Sequence, residues 1–240
     1  MSMYGWRARI GKVSPSRGDS FIYEFYHMVP KGVVLVMHIV GLDNLTKEEF
    51  NAAYLQYMDA ARALARVGVD VICLGGAPLF QLKGLGSDLE MIQEVEKQTG
   101  IPALTSATAV KEAMLFLKMK KLAIVSPYTD EVNQRNALWY QNLGFDVLKI
   151  KGVGITNNSQ ISRLPFYVPY QLARETFLET PGVDGIFIDC ARWATMEVIE
   201  KLEQDLGVPV VASTQAMIWS ALRKANVREN IKGYGRLMQG

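Results

Sequence analysis

Cys190 is the residue in this sequence best suited to proton-transfer or nucleophilic chemistry. It closes the apolar segment 182–190 and is followed by Ala191, Arg192 and a helix predicted from Ala194. The guanidinium and the positive end of that helix both favour a thiolate, so the sequence predicts a lowered pKa for the Cys190 thiol. The alternative is a buried and inert cysteine, which is a frequent role for a single thiol.

Polar residues at two turns are the next candidates for binding a ligand. Ser14, Pro15 and Ser16 follow one short apolar segment, and Tyr128 follows another. The Tyr128 hydroxyl can donate a hydrogen bond to a carboxylate or enolate oxygen, or it belongs to an ordinary turn. Arg192 is either a clamp for a carboxylate or a surface residue of the helix that follows it.

An internal repeat aligns Cys190 with a glycine. The segment 68–76, GVDVICLGG, returns as 182–190, GVDGIFIDC, so Gly76 occupies in the first copy the place of Cys190 in the second. Two further pairs of segments follow in the same order: 13–16 with 125–128, and 100–109 with 207–216. This agreement indicates a duplicated chain and favours a functional Cys190, whereas Cys73, inside the first copy, is interpreted as a small core residue.

Strands alternate with helices along both copies. Strands are predicted at 9–13, 33–39, 68–76, 102–104, 121–125, 145–150, 182–190 and 208–211, and helices at 46–67, 88–98, 106–117, 130–144, 169–178, 194–206 and 213–224. The alternation predicts an α/β fold made of two duplicated parallel-sheet halves, related by a pseudo-twofold axis with the site between them. We expect a first half at 1–119, onto which 217–240 packs back, and a second half at 120–216.

Local signals refine some of these elements. The β-branched and apolar segment 33–39 is expected to be a strand buried on both faces. Thr46 and Glu49 have the spacing of a capping box at the start of a helix. Ser87 is expected to cap the helix at 88–98.

The strand ends of both halves are expected to enclose one pocket, because ligands of open parallel sheets bind beyond the carboxyl ends of the strands. The residues placed at these ends are Ser14, Pro15, Ser16, Gly76, Ala77, Tyr128, Cys190, Ala191, Arg192 and Ser213. The helix starts at Ser106 and Ser213 are expected to point free backbone N–H groups into the pocket. Such groups bind anions, which suits a carboxylate or an enolate.

Composition excludes several classes of protein. The 26 basic and 24 acidic residues give a net charge of +2, which provides no footprint for nucleic acid or an anionic membrane. The two cysteines are isolated, so neither a disulfide framework nor a metal site is expected, and lone thiols fit a cytoplasmic location. The first residues lack a signal-peptide core, and no apolar run approaches the roughly 20 residues of a membrane helix.

The chain resembles the aspartate/glutamate racemase superfamily, and within it the branch that contains arylmalonate decarboxylase and maleate cis-trans isomerase. The segments that carry the resemblance span nearly the whole chain: 5–11 (GWRARIG), 68–76, 128–133 (YTDEVN), 184–190, 207–211 (GVPVV) and 233–237 (GYGRL). The resemblance implies an enzyme that needs no cofactor and acts on a small carboxylate, with catalytic positions at equivalent strand ends of the two halves.

The resemblance also assigns a role to the pair of Cys190 and Gly76. Racemases and maleate isomerases of this superfamily carry one cysteine in each half, whereas a single cysteine opposite a glycine is the arrangement of the decarboxylase. It implies that a substituted malonate loses CO2 and that Cys190 delivers a proton to one face of the enediolate. Ala77 and Pro78 depart from the decarboxylase, which has hydroxyl residues there, and Arg192 stands where that enzyme is glycine-rich.

Alternatives remain at this stage. A maleate isomerase-like or racemase activity would use Cys190 as nucleophile or acid/base. The segment 17–20 after the first Pro-Ser turn lacks, however, the asparagine that maleate isomerases carry. A protein of another class would bind carboxylates without catalysis. The expected partner is a small-molecule carboxylate in each case, and the sequence does not decide between a monomer and a homo-oligomer.

Overall fold

The computed structural model describes residues 4–16, 18, 20–44 and 46–240, so Arg17 and Asp19, on which the comparison with maleate isomerases partly rests, lie outside the described residues. The strands are β1 (Ala8–Ser14), β2 (Val33–Ile39), β3 (Val71–Leu74), β4 (Ala103–Thr105), β5 (Lys121–Ser126), β6 (Asp146–Gly152), β7 (Gly185–Ile188) and β8 (Val210–Ala212). The helices are α1 (Ser20–Met28), α2 (Lys47–Arg66), α3 (Ala77–Lys83), α4 (Ser87–Thr99), α5 (Ser106–Phe116), α6 (Asp130–Asn142), α7 (Asn158–Ile161), α8 (Tyr167–Leu178), α9 (Met196–Leu206) and α10 (Ser213–Lys224), followed by a short 3-10 helix (Arg236–Gln239).

The strands form two parallel four-stranded sheets with the same internal order. The first sheet runs β2-β1-β3-β4 and the second β6-β5-β7-β8, so each strand of one copy has its counterpart in the other. This arrangement confirms the predicted α/β fold of two duplicated halves. Among the described residues, every helix is too short or too polar to cross a membrane.

Burial follows the position of each strand in its sheet. β3 and β7 lie inside their sheets and are buried along their whole length, as expected for parallel strands covered by helices on both faces. β2 is an edge strand and most of its residues are only half-buried. The prediction that 33–39 is buried on both faces is therefore wrong, because a strong β-forming sequence does not reveal whether a strand has one neighbour or two.

Helix starts agree with the sequence in part. The Thr46 hydroxyl accepts the N–H of Glu49 at 3.3 Å, as predicted. The Glu49 carboxylate does not return to Thr46; it accepts the N–H groups of Asp43 and Asn44 at 2.7 Å. The prediction for Ser87 is wrong, because Gly86 is the N-cap of α4 and the Ser87 hydroxyl donates to the Phe80 carbonyl instead.

The last helix connects the two halves. α10 follows β8 of the second sheet and packs against α5, α1 and β3 of the first. Its Ser220 hydroxyl donates to the Glu112 carboxylate of α5 at 2.7 Å. The division of the chain at 119 and 216 remains a prediction.

Candidate active site

A cavity of about 60 Å³ lies where the strand ends of the two halves meet. This volume is several times the roughly 10–15 Å³ that a water molecule needs, so a small organic molecule is a suitable occupant. Eight residues singled out from the sequence line it: Ser14, Pro15, Ser16, Gly76, Tyr128, Cys190, Ala191 and Arg192. Both copies of the repeat thus contribute to one cavity.

Two of the predicted ligand-binding residues lie elsewhere. Ala77 and Ser213 begin α3 and α10, and neither is among the described residues that line the cavity. Ser106 and Ser213, where α5 and α10 begin, are not among the described lining residues, and the expectation that these helix starts point free N–H groups into the cavity remains a prediction. The N–H of Thr108 in the first turn of α5 is bonded to the Thr105 hydroxyl at 3.0 Å, so local capping satisfies that group.

The backbone at Cys190 is held in a conformation that is unusual for a residue with a side chain. Its φ is +94°, in a region that costs a non-glycine residue about 1–2 kcal/mol. The Cys190 N–H donates to the Asp189 carboxylate at 2.7 Å and to the Ser213 hydroxyl at 3.0 Å. Asp189 in turn accepts from the Asn136 amide at 2.8 Å. Ser213 therefore helps to position Cys190.

Gly76 has a similar backbone in the first half but no room for a side chain. Its φ is +81°. A Cβ atom at this position would lie 2.5 Å from Cδ1 of Leu79 and 2.9 Å from Cγ of Pro15. The two copies thus share the geometry of the turn, and only the second copy places a reactive group there.

Burial of the Cys190 thiol favours its protonated form at neutral pH. Burial raises its pKa to about 11, although hydrogen bonds from the Tyr128 hydroxyl and the Arg192 N–H favour the thiolate. The predicted lowering of this pKa is wrong, because burial outweighs these hydrogen bonds. The dipole of α9 adds little, since α9 begins only at Met196 and a helix dipole acts within about one turn. The arrangement favours a proton donor over a standing thiolate nucleophile.

Tyr128 and Arg192 both reach the cavity. The Tyr128 side chain is buried, and burial raises the pKa of its hydroxyl well above the usual value, so it is a hydrogen-bond donor. The Arg192 guanidinium lies 3.4 Å from the Ser16 hydroxyl and 3.3 Å from the Ser162 hydroxyl, joining the two halves. Its alternative interpretation as a surface residue of the following helix is wrong.

Two buried charged residues at the site escape the sequence analysis. Lys12 of β1 lines the cavity, and burial lowers the pKa of its ammonium to about 7. Glu24 of α1 accepts the N–H groups of Thr195 and Met196 at the start of α9, and burial raises its pKa to about 7. A lysine between Gly11 and Val13, at the buried end of strand β1, is the signal that points to the first of them.

Comparisons with known proteins agree with this geometry. The family model described as arylmalonate decarboxylase matches residues 12–238. Arylmalonate decarboxylase of Bordetella bronchiseptica is 31% identical over 199 residues, which cover 82% of this chain and 83% of that protein. Maleate isomerase of Pseudomonas putida is 24% identical over an alignment of 246 positions, gaps included, which covers 97% of each protein.

Solved structures of both kinds of enzyme superimpose on the chain. A double mutant of arylmalonate decarboxylase in its liganded form, with glycine replaced by cysteine and cysteine by serine, has a TM-score of 0.90 at 28% identity, covering 96% of this chain and 98% of that one. Nocardia farcinica maleate cis-trans isomerase bound to Tris has a TM-score of 0.90 at 20% identity, covering 97% and 98%. The second likeness establishes the fold alone.

Proposed function

Because the chain belongs to the arylmalonate decarboxylase family, we propose that it is a cofactor-independent decarboxylase of a small substituted malonate. One observation supports decarboxylation over the other activities of the family. The thiol of Cys190 lines the cavity, and the corresponding residue of the first half, Gly76, lines the same cavity without a side chain. Isomerisation or racemisation by two bases needs an acid/base group on each side of the substrate. Gly76 has no side chain and no space for one.

The proposed reaction has two steps. The bond between the α-carbon and one carboxylate breaks, and its electron pair moves into the retained carboxylate, so that CO2 leaves and an enediolate forms. The S–H of Cys190 then gives its proton to the α-carbon, and the resulting thiolate takes a proton from water. The Tyr128 hydroxyl and the Arg192 N–H, which already bond the sulfur, stabilise the thiolate as it forms.

The other predicted site residues take roles that fit their positions. Ser14, Ser16 and the guanidinium of Arg192 provide polar contacts to a carboxylate, and the Ala191 amide is a further donor. Pro15 and Gly76 form part of the apolar wall of the cavity. Ser213, which lies outside the cavity lining, acts through the backbone of Cys190 rather than on the substrate. Ala77 also lies outside the described lining and takes no role in this proposal.

The test is the turnover of phenylmalonate and methylmalonate by the purified protein, with release of CO2 and formation of the monoacid followed by NMR in D2O. The wild-type protein is expected to incorporate one deuteron with a single configuration. Cys190→Ser is expected to lose about 100-fold or more in kcat/KM, the usual scale of general acid catalysis. Cys73→Ala is the matched control, because Cys73 is buried in β3 and outside the cavity.

Retention of full activity in Cys190→Ser would remove the thiol from the mechanism. Saturable binding of phenylmalonate without CO2 release would instead identify a carboxylate-binding protein.

Maleate isomerisation is the second candidate. The observation that favours it is the similarity to the maleate isomerase of Pseudomonas putida, which extends over 97% of this chain. Addition of the Cys190 sulfur to a carbon–carbon double bond requires a thiolate, and the raised pKa of this thiol opposes it. Formation of fumarate from maleate, without CO2 release from malonates, would establish this activity instead.

A further inference from the structure

Lys12 carries a charge at a position of β1 whose counterpart in the second half of the chain is apolar. The repeat aligns Val13 with Val125, so the counterpart of Lys12 in the second half is Ile124 of β5, which is fully buried. Lys12 itself is 3% exposed. Burying an ammonium opposes folding unless it is paired, so the stability of the sheet does not account for a lysine here.

The ammonium of Lys12 faces the cavity without a protein acceptor in the described part of the chain. Its nitrogen lies 3.1 Å from the ring centroid of Phe21, an attractive but incomplete replacement for water. The charged or titratable groups that act on it are Glu24 of α1, Cys73 of β3, and Cys190 and Arg192 after β7.

Glu24 is the carboxylate of this set, and it is already engaged. It accepts the backbone N–H groups of Thr195 and Met196 at the start of α9 and is not among the described residues that line the cavity. The described lining therefore contains two cationic side chains, Lys12 and Arg192, and no carboxylate. A cavity with this charge selects an anionic ligand.

We propose that Lys12 binds the carboxylate that the substrate retains, and stabilises the enediolate formed from it. The inference rests on the proposed function. An ammonium on the departing carboxylate would oppose decarboxylation, because negative charge leaves that group. On the retained carboxylate it stabilises charge that grows in the transition state. The substrate is accordingly a malonate dianion, and its substituent packs against the apolar part of the lining, formed by Met37, Leu42 and Phe50.

Anion binding and protonation of Lys12 are coupled. Burial lowers the pKa of the empty site to about 7, so at pH 8 the amine is mostly neutral. A bound carboxylate favours the ammonium and raises this pKa. Binding at pH 8 should therefore take up close to one proton per anion, and binding at pH 6 much less.

The experiment is calorimetry of the wild-type protein with phenylacetate, a monoanion that has no second carboxylate to lose. Titrations at pH 6 and pH 8, each in two buffers of different ionisation enthalpy, measure the proton uptake without any variant. Lys12→Met is expected to bind phenylacetate about 10- to 100-fold more weakly, the effect of losing one hydrogen bond to a charged group, and without proton uptake. Its affinity for neutral phenylacetamide should not change.

Lys201→Met is the matched control, since Lys201 is exposed and paired with Asp205 on the surface of α9. It removes the same charge and should bind phenylacetate like the wild type. Proton uptake that is equal at the two pH values, no binding by the wild type, or unchanged affinity in Lys12→Met would each overturn the inference.

Turnover separates this inference from the function on which it rests. If phenylacetate binds with proton uptake but no malonate releases CO2, the proposed decarboxylation fails and the anion site stands. If CO2 is released with the same kcat/KM in Lys12→Met as in the wild type, the decarboxylation stands and the role of Lys12 fails.

Discussion

Replacement of Gly76 by alanine tests whether the first half of the cavity can carry a side chain at all. The φ of +81° at Gly76 imposes a backbone penalty of about 1–2 kcal/mol on any residue with a Cβ. The new methyl would also lie 2.5 Å from Cδ1 of Leu79, a side chain that is itself 1% exposed and has little space to move. Overpacking of this kind adds about 1–3 kcal/mol.

The expected loss in the free energy of unfolding for Gly76→Ala is thus about 2–5 kcal/mol, the sum of the backbone and packing penalties. Gly182→Ala separates the two. Gly182 has a φ of +89°, but no heavy atom lies within 4 Å of its hypothetical Cβ. This control should lose only the backbone share of about 1–2 kcal/mol.

Urea unfolding followed by circular dichroism measures both losses, with the slope m checked to be the same in all three proteins. The reasoning is refuted if Gly76→Ala and Gly182→Ala lose the same free energy. The first half would then have room for a side chain, and Gly76→Cys could build the two-thiol arrangement. Lack of space at Gly76 would then no longer support proton delivery from one side only.

Three further predictions concern the buried titratable groups. Alkylation of Cys190 by iodoacetamide, followed by mass spectrometry, should rise about tenfold per pH unit up to pH 10, because its pKa is raised to about 11; a plateau below pH 9 would contradict this. Glu24→Ala should lower the free energy of unfolding by roughly 2–4 kcal/mol, because it leaves the buried N–H groups of Thr195 and Met196 without an acceptor. Glu24→Gln, which keeps an acceptor oxygen, should lose less in the same urea titration, and an equal loss would argue against the cap. Lys12→Met should be more stable than the wild type below pH 7, because the wild type buries an ammonium there. The difference in melting temperature should shrink from pH 7 to 10.5, since burial lowers the pKa of Lys12 from 10.5 to about 7. A difference that does not depend on pH would show that the amine is not desolvated.

The fold is predictable from the sequence because the duplicated chain shows the same pattern of residues twice. The segments 68–76 and 182–190 each predict a strand, and these strands occupy equivalent places in two sheets with the same strand order. Alternation of strands and helices then leaves few topologies open. Edge positions are not accessible in this way, because the sequence of 33–39 predicts a strand without showing that β2 has a neighbour on one side only.

The protonation states of the site could not be predicted, because they depend on burial more than on neighbours in the chain. Arg192 lies two residues from Cys190, and this proximity suggests a lowered pKa. The structure retains the favourable Arg192 contact, but removal of the thiol from water outweighs it. Lys12 shows the same limit, since a single lysine in a strand is ordinarily a solvent-facing residue, and only its burial at the cavity makes it significant.

The two duplicated halves carry different chemistry at two pairs of equivalent positions. At the strand ends, both turns have positive φ, but the first half carries Gly76 and the second carries Cys190. Within the central strands the asymmetry is reversed, since the first half carries Lys12 and the second carries Ile124. Under the proposed function, one half holds the charge of the enediolate while the other delivers a proton to it. A product of single configuration would follow from this division, because the α-carbon meets an acid on one face only.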